Sequence, residues 1–312
     1  GIHWAPEREI IRQAGGSDNW PLTWASDDLL YTVYGDGRGF APYVPEKLSM
    51  GFASVAGFPD SFTGNNIRSG SGEDLGDGRS GRKASGILMV DGVLYIWVRN
   101  AGNSQLGWST DYARSWTWAG WKFTQSFGYP TFLNFGKNYE GSRDNFVYVY
   151  SHDSDSAYEA SDRMVLARVL KGQIRDRAAY EFFKGVDNRG NPLWTGNLKE
   201  RGTVFSHPEK CYRSGITYNS GLKIYLYCQI HPQSEDSRGP RFQGGFGIYD
   251  APEPWGPWST VFYTHNWDVG PGETSSFPTK WISKDGRTIH LVFSGDDHFS
   301  VRRAMLDLEA LN

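Results

Sequence analysis

KASGILMVDGVLYIWVRN, residues 83–100, has the pattern of two β-strands joined by an Asp91-Gly92 turn. The first strand is apolar or small, the second is rich in β-branched and aromatic residues, and Asp-Gly favours a tight hairpin. The same strand–turn–strand pattern recurs at residues 18–36, 128–153, 212–229 and 275–296. A third strand is expected after each hairpin, at residues 47–55, 104–111, 162–170, 242–250 and 299–308.

This repeat predicts an all-β fold, a five-bladed β-propeller whose blades are four-stranded antiparallel meanders. We expect one propeller domain over residues 1–312. Its approximate blades are residues 14–60, 80–125, 126–200, 205–265 and 270–312. Residues 1–13 have no hairpin of their own and are expected to complete the last blade, which would close the ring. A β-sandwich is the alternative fold, but it does not explain why the units resemble one another.

Composition excludes several classes of partner. The formal net charge of −3 gives no bulk electrostatic basis for binding nucleic acid or an anionic membrane. No apolar run approaches the roughly 20 residues of a membrane span. The 13 Trp and 17 Tyr exceed what a core alone requires, and amphipathic rings suit sugar-binding surfaces. Residues 1–10, GIHWAPEREI, lack the charged and apolar regions of a signal peptide.

Aligning the hairpins collects polar residues at one rim, because the first strand of each blade begins where the second strand ends. The first-strand starts supply Asp18, Asn19, Lys83, Ser85, Tyr129, Tyr212, Arg213, Glu273, Ser275 and Ser276. The second-strand ends supply Asp36, Arg99, Asn100, His152, Asp153, Gln229 and Asp296. Any single residue of this kind is more often structural, but the coincidence across five blades favours a funnel-shaped site.

The residue types at this rim suit carbohydrate chemistry. Paired carboxylates perform glycoside hydrolysis, and a neighbouring like charge keeps one of them protonated. We take Asp18, Asp36 and His152 as candidate catalytic residues. The candidate substrate-binding residues are Asn19, Lys83, Arg99, Tyr129, Asp153, Tyr212, Arg213, Gln229, Glu273, Ser276 and Asp296.

Two other functions stay open on the same residues. In a polysaccharide lyase, His152 or Tyr212 would abstract the proton α to a uronate carboxylate that Arg213 or Lys83 neutralises. In a glycan-binding propeller without activity, the rim would merely be polar. Nucleotide-binding, serine-hydrolase and zinc-protease motifs are absent from the sequence, and no metal or cofactor is expected.

Three local motifs carry structural expectations. WSTDYARSW (108–116) resembles the Asp-box of sialidase-like propellers, a turn-stabilising motif far from the chemistry. GEDLGDGRSG (72–81) lacks the closing Glu of a calcium loop and is interpreted as a mobile surface loop. If Tyr218 pairs with Gly221, the two cysteines, Cys211 and Cys228, lie opposite each other, and both a disulfide and two free thiols are open.

Several motifs resemble a bacterial propeller family long catalogued as a domain of unknown function, and the similarity covers most of the chain. They are GSDNWPLTW (16–24), YTVYGDGRGF (31–40), KCYRSG (210–215), GGFGIYDAPEPWGPW (244–258) and GETSSFPTKW (272–281). Relatives in that family include endo-D-arabinanases, glycoside hydrolases of mycobacterial cell-wall arabinan. The resemblance implies a five-bladed propeller that hydrolyses a furanosidic or other polysaccharide linkage.

The resemblance also bears on the site. Five-bladed glycosidases typically place a catalytic Asp at the start of the first blade, which Asp18 matches. They place further acids on blades two and three, where this chain has Lys83 and Tyr129. The partner role would therefore fall to Asp36, or to Glu273 or Asp296 of blade five.

Together these features predict a bacterial carbohydrate-active enzyme, first of all a glycoside hydrolase. Its expected partner is a polysaccharide or oligosaccharide, neutral or anionic, with no nucleic acid and no membrane. We expect a monomer that is secreted or periplasmic.

Overall fold

The computed structural model describes residues 1–231, 239 and 242–307, and strands dominate them. Within these residues the only helices are short 3-10 turns, at Glu7–Glu9, Lys137–Tyr139, Lys171–Gln173, Arg177–Ala179, Leu198–Glu200, Thr279–Trp281 and Gly295–Asp297. None of the described helices has the length and apolar character needed to cross a bilayer.

Two short strands, β1 (Ile2–Trp4) and β2 (Ile11–Gln13), come first in the chain. Unit one then consists of β3 (Leu22–Trp24), β4 (Leu30–Tyr34), β5 (Leu48–Ala56) and β6 (Thr63–Ile67), with β7 (Asp74–Leu75) also on β5. Unit two consists of β8 (Lys83–Val90), β9 (Val93–Arg99), β10 (Ser104–Ser109) and β11 (Thr117–Phe123). In both units each strand pairs antiparallel with the next, which is a meander.

Units three and four repeat this arrangement. Unit three consists of β12 (Thr131–Asn134), β13 (Phe146–His152), β14 (Ser161–Leu170), β15 (Glu181–Val186) and β16 (Pro192–Thr195), and β17 (Phe205–Cys211) pairs with β14. Unit four consists of β18 (Ser214–Asn219), β19 (Ile224–His231), β20 (Gly245–Ala251) and β21 (Ser259–Thr264). Their first strands, β12 and β18, run parallel and join the two units in one sheet.

Unit five is built from both ends of the sequence. It consists of β22 (Ser275–Ser276), β23 (Thr288–Phe293) and β24 (Phe299–Leu306). Both β1 and β2 pair antiparallel with β24, in the registers Ile2↔Leu306 and Ile11↔Val301. The strand expected at 299–308 ends at Leu306 in the structure, and Leu308 lies outside the described residues.

Hydrogen bonds near the first strands connect each unit to the next. The Asn19 side chain donates to Ala84 O at 2.7 Å, linking units one and two, and Ser85 Oγ donates to Pro130 O at 2.6 Å, linking two and three. Thr217 Oγ1 donates to Phe277 O at 2.8 Å, linking units four and five. The Trp20 amide donates to Thr274 Oγ1 at 2.9 Å, which links unit one to unit five. With the parallel β12–β18 pair, these contacts connect the units in a closed circuit.

Apolar cores lie between neighbouring units, because each sheet buries both of its faces. Met50 and Phe52 of unit one pack with Ile87 and Ile96 of unit two. Trp20 of unit one packs edge-on against Phe299 of unit five, with ring centroids 5.2 Å apart. Full burial of such a side chain stabilises the fold by roughly 1.5–3 kcal/mol. The core between units one and five is as apolar as the others, so the circuit is closed by packing as well as by hydrogen bonds.

The register predicted for the cysteine hairpin is wrong. Tyr218 pairs with Tyr225 rather than with Gly221, so Cys228 lies opposite Gly215, and Cys211 instead pairs with Ser161 on β14. Cys211 and Cys228 are both buried free thiols. Lys223, at φ +58°, extends the turn beyond Asn219–Gly221, which moves the second strand along its partner.

Candidate functional site

A cavity of about 310 Å³ opens where the five units meet. It is lined by Asp18, Asp36, Gly78, Arg79, Lys83, Arg99, Tyr158, Tyr212, Arg213 and Glu273. Three acids, four cations and two tyrosines therefore face one space of the size of a small-molecule site. Seven of these ten residues were expected at the rim from the sequence alone.

Asp18 and Asp36 are held together by backbone pairing. The Asp18 amide donates to Gly35 O at 2.9 Å, and the Gly35 amide donates back to Asp18 O at 2.8 Å. A Cβ on Gly35 would lie 2.7 Å from Asp18 Oδ1, so glycine is needed at this position for the carboxyl group to keep its place. Asp36 follows directly, with φ +45°, a left-handed conformation that Asp tolerates better than most residues.

Asp18 is a buried carboxyl group with an altered acidity. The residue is 6% exposed, and its Oδ1 atom has no hydrogen-bond partner. Burial, followed by the charge of Asp36, raises the pKa of Asp18 to about 6, although Lys83 opposes the shift. The geometry therefore gives Asp18 a proton at mildly acidic pH, where an ordinary Asp is ionised.

Asp36 is paired with a cation. The Lys83 ammonium group donates to Asp36 Oδ1, and the lysine side chain is only 4% exposed. The Gly78 amide donates to Asp36 Oδ2 at 2.9 Å. Both carboxylate oxygens thus accept hydrogen bonds, one of them from a charged donor, and these bonds fix the orientation of the carboxyl group.

Lys83 and Arg99 enter the cavity from neighbouring strands. They are direct cross-strand partners on β8 and β9, so their side chains share one face of the sheet. Arg99 Nη1 donates to the Tyr158 hydroxyl at 2.9 Å, and the Tyr158 hydroxyl donates to Gly78 O at 3.1 Å. Burial alone would raise the pKa of Tyr158, but the charge of Arg99, a hydrogen bond from Asn100 and the charge of Arg213 lower it below its usual value.

Arg213 directly precedes the first strand of unit four, whereas Arg99 ends a strand of unit two. Tyr158, in unit three, lies between them in the sequence. It pairs with Glu273 of unit five, and its Nε donates to Ala157 O at 3.1 Å. Its guanidinium carbon lies 5.0 Å from the Tyr212 ring centre and 5.1 Å from that of Tyr158. Burial and then the charge of Arg99 lower the pKa of Arg213.

The remaining predicted site residues do not line the cavity, and four of them have structural partners. Asn19 is used in the link to Ala84 described above. The Gln229 side chain donates to the Tyr227 hydroxyl and is fully buried. Asp153 accepts from Arg163 and Arg201, at 2.7 and 2.8 Å. Asp296 is an exposed residue of a 3-10 turn, with His298 nearby.

His152 is buried away from the cavity surface. Its Nε2 lies 2.7 Å from Ser156 O, and its ring centre is 5.8 Å from that of Tyr212. Burial lowers the pKa of His152 to about 4, so the ring is neutral near pH 7. The structure places His152 as a support for the loop after β13 rather than as a group that contacts a ligand in the cavity.

Tyr129 and Ser276 lie deeper, where the units meet. The Tyr129 ring is 5.5 Å from the Arg99 guanidinium carbon and 5.7 Å from that of Arg213, and burial raises its pKa to about 12. Both residues line a cavity of only about 20 Å³, enough for little more than a water molecule. The Tyr129 ring thus packs against the guanidinium groups of both Arg99 and Arg213.

Three residues of the cavity, Gly78, Arg79 and Tyr158, were not predicted from the repeat of the five hairpins. Gly78 and Arg79 belong to the segment interpreted as a mobile surface loop, but its tip contacts Asp36 and Tyr158. Tyr158 lies in the loop after β13. An Asp-Gly-Arg sequence at residues 77–79, a few residues before the rim residue Lys83, was the available signal for the first two.

A wider groove of about 660 Å³ lies elsewhere, lined among others by Phe58, Asp60 and His290. Its charged pair, Glu9 and Arg303, is largely exposed. We assign the candidate site to the smaller cavity because its charges are buried and its groups have altered acidity. Among the described residues, no three His, Cys, Asp or Glu side chains are grouped to hold a metal ion.

No family model and no curated protein matches the chain. Solved structures do match over nearly the whole length. A GH43_1 enzyme from Xanthomonas citri is 13% identical, with 97% of this chain and 92% of that chain covered and a TM-score of 0.52. RS223-β-xylosidase is 12% identical, with 97% and 96% covered and a TM-score of 0.53.

A third match is CoXyl43, a GH43 β-xylosidase/α-arabinofuranosidase from a compost microbial metagenome, solved in complex with xylotriose. It is 14% identical, with 99% of this chain and 96% of that chain covered and a TM-score of 0.51. At these identities the likeness concerns the fold. The chain is all-β and shares the β-propeller fold of GH43-type enzymes.

Proposed function

We propose that the protein is a glycoside hydrolase whose active site is the cavity around Asp18 and Asp36. The observation that carries the proposal is the raised pKa of Asp18, about 6, beside a second carboxylate paired with Lys83. Glycosidases need a protonated carboxyl group and a second carboxylate in a shared site, and the raised pKa of Asp18 suits the first of these roles.

In the proposed reaction Asp18 donates its proton to the glycosidic oxygen as the bond to the anomeric carbon breaks. Asp36 either removes a proton from the attacking water or attacks the anomeric carbon itself. Lys83 and the Gly78 amide hold the Asp36 carboxyl group in place for that step. Each acid thus has a role that follows from what surrounds it.

The proposal includes the architecture and the family. The five connected units are interpreted as the blades of a five-bladed propeller, which β1 and β2 close by pairing with β24. Membership of the bacterial family that contains endo-D-arabinanases is supported by the motifs around Asp18, Asp36, Arg213 and Glu273. A polymeric substrate of this kind would be met outside the cytoplasm, which fits a secreted or periplasmic monomer.

A second candidate, β-elimination next to a uronic acid, is favoured by one observation. The pKa of Tyr158 is lowered and its ring lies between arginines, as expected of a tyrosine that abstracts a proton. Arg99 or Arg213 would then neutralise the uronate carboxylate. His152, which the sequence suggested for this step, does not line the cavity.

One experiment separates the two candidates. The protein is incubated with arabinan, xylan and polygalacturonate, and both new reducing ends and ultraviolet absorbance of an unsaturated uronate are measured. Hydrolysis gives reducing ends without the absorbance and is lost in Asp18→Asn, while the exposed-acid control Asp296→Asn keeps it. Absorbance that Tyr158→Phe abolishes would establish the lyase instead, and binding without any turnover would leave a glycan-binding propeller.

A further inference from the structure

Arg99 is a buried cation that has no anionic partner in the part of the chain that the structure describes. It is 2% exposed, its Nε atom has no hydrogen-bond partner, and within the described residues no carboxylate lies at ion-pairing distance from it. Among the described residues its side chain donates to the Tyr158 hydroxyl, which donates onward to Gly78 O and therefore supplies no counter-charge. A buried charge without a counter-charge is costly, and its persistence in a cavity wall indicates a ligand.

Two further guanidinium groups surround the same tyrosine. The guanidinium carbons of Arg79, Arg99 and Arg213 lie 4.9, 5.2 and 5.1 Å from the Tyr158 ring centre. Arg213 is paired with Glu273, but Arg79, like Arg99, has no carboxylate partner among residues 1–231, 239 and 242–307. Within the described lining, the cavity thus offers two guanidinium groups without a carboxylate partner, one in the buried wall and one on the loop whose Gly78 amide bonds Asp36.

The acids of the cavity do not balance this charge. Asp36 forms an ion pair with Lys83, and Glu273 forms one with Arg213. Asp18 is the third acid, and burial disfavours its ionised form. The lining therefore carries an excess of positive charge around Tyr158, where Arg79 and Arg99 lie. Carboxylate and sulfate groups match a guanidinium fork through two parallel hydrogen bonds.

We propose that the cavity binds an acidic saccharide, with the oxyanion of a uronic acid or sulfated sugar placed between Arg99 and Arg79. The assignment of the ligand as a saccharide rests on the proposed function. Lys83, the strand partner of Arg99, pairs with Asp36, so the sugar that carries the oxyanion is held beside the two acids while the neighbouring linkage meets them. Arg99 supplies one guanidinium fork from the buried wall, and Arg79 supplies a second from the loop.

The test uses paired ligands that differ in charge alone. Binding to Asp18→Asn, which stops turnover, is measured by titration calorimetry with polygalacturonate and with glucuronoxylan, each native and carboxyl-reduced. A second arm uses κ-carrageenan before and after desulfation. We expect one acidic polymer to bind at least about tenfold more tightly than its neutral counterpart, and the arm in which this occurs identifies carboxylate or sulfate. Equal binding within every pair overturns the proposal.

Two variants test whether the arginines cause the preference for the acidic polymer over its neutral counterpart. Arg79→Gln changes an exposed residue and should fold normally, yet reduce the preference for the acidic polymer by about threefold to tenfold. Arg99→Met should abolish the preference, with circular dichroism as the check on folding. Arg189→Gln, an exposed arginine on a distant turn, is the matched control. A full preference in Arg79→Gln and in a folded Arg99→Met contradicts the assignment.

Turnover by the unmodified protein separates this inference from the proposed function. If the protein prefers an acidic polymer but never cleaves it, the proposed hydrolase activity is contradicted and the proposed oxyanion site is supported. If kcat/KM is equal on a native polymer and its neutral counterpart, the proposed oxyanion site is contradicted and the proposed hydrolase activity is supported.

Discussion

Arg99 and Tyr158, 59 positions apart in the sequence, meet in a 2.9 Å hydrogen bond across the boundary between units two and three. Arg99 comes from the end of a buried strand, whereas Tyr158 comes from a loop. Tyr158 in turn holds Gly78, whose amide bonds Asp36. One chain of contacts therefore connects the cationic wall of the cavity to its acidic wall.

The acidity of Asp18 makes a prediction about stability. Its pKa in the folded protein, about 6, exceeds its ordinary value of 3.8, so its stabilising contribution is complete below pH 3.8 and is lost as pH rises through 6. Asp18→Asn carries no charge and should exceed the wild type in stability by about 3 kcal/mol at pH 8 and by almost nothing near pH 3. Urea unfolding at both pH values measures this. Asp296→Asn should show no such divergence, and an equal stability of Asp18→Asn and wild type at pH 8 would contradict a buried carboxylate.

The coupling between Asp18 and Asp36 can be observed directly. Because the charge of Asp36 helps to raise the pKa of Asp18, the Asp36→Asn variant should titrate Asp18 at a lower pH than the wild type does. Carbon NMR of labelled Asp carboxyl groups follows this titration. The surface variant Asp285→Asn should leave the Asp18 titration where it was. An unchanged Asp18 titration in Asp36→Asn would show that the two acids do not interact.

The same titration should limit catalysis. If Asp18 donates a proton, kcat/KM on the true substrate falls as pH rises through about 6, because the ionised form cannot donate. A pH–rate profile from pH 4 to pH 9 checks this, with circular dichroism confirming that the fold persists. Activity that rises through this range would exclude Asp18 as the acid and favour a group such as Tyr158 acting as a base.

Gly35 should be needed for activity although it has no side chain. The Cβ of Gly35→Ala would lie 2.7 Å from Asp18 Oδ1 and 3.3 Å from the Asn19 Cβ, so the Asp18 carboxyl group must move. We expect at least a tenfold loss of kcat with a stability cost of about 1–3 kcal/mol. Gly120→Ala is the matched control, since nothing lies within 4 Å of its Cβ. Gly35→Ala with full activity would show that the position of Asp18 does not matter.

The Asp-box should behave as a structural element. Asp111 accepts hydrogen bonds from Ser109 Oγ at 2.8 Å and from the Ser115 amide at 2.9 Å, which closes the turn between β10 and β11. Asp111→Ala should lower the free energy of unfolding by about 1–2 kcal/mol and leave KM unchanged. Thermal unfolding and steady-state kinetics measure the two effects. A raised KM with unchanged stability would place the motif in substrate binding.

The sequence predicted the strands well because hairpin turns and apolar alternation are local. The hairpin from Lys83 to Arg99 follows from its Asp-Gly turn, although an irregularity between Ala84 and Gly86 shifts the register by one residue before Lys83 meets Arg99. Side-chain direction at strand ends is less predictable. His152 ends its strand as Arg99 does, yet its ring points into the core, because the loop after β13 folds back and Ser156 O bonds it.

Loop residues could not be assigned from the alignment for a different reason. Tyr158 reaches the cavity only because the loop carrying it turns towards Arg99, and Arg79 because Gly78 bonds Asp36. These contacts bridge parts of the chain 42 and 59 residues apart, and nothing in the local pattern encodes them. The same limit applies to Cys211, whose partner strand is β14 rather than its own hairpin.

The pairing of β1 with β24 has a consequence for how the molecule is assembled. Ile2 and Leu306 are strand partners, so the last sheet joins β1 to a strand from which all of units one to four separate it in the sequence. The nascent chain must therefore carry β1 and β2 without their partner until units one to four have been made, and contacts so distant in sequence slow folding. We expect refolding of a circular permutant that begins at Asn103, in a turn of unit two, to be faster than that of the natural order. Equal refolding rates in stopped-flow fluorescence would show that joining the two ends is not the slow step.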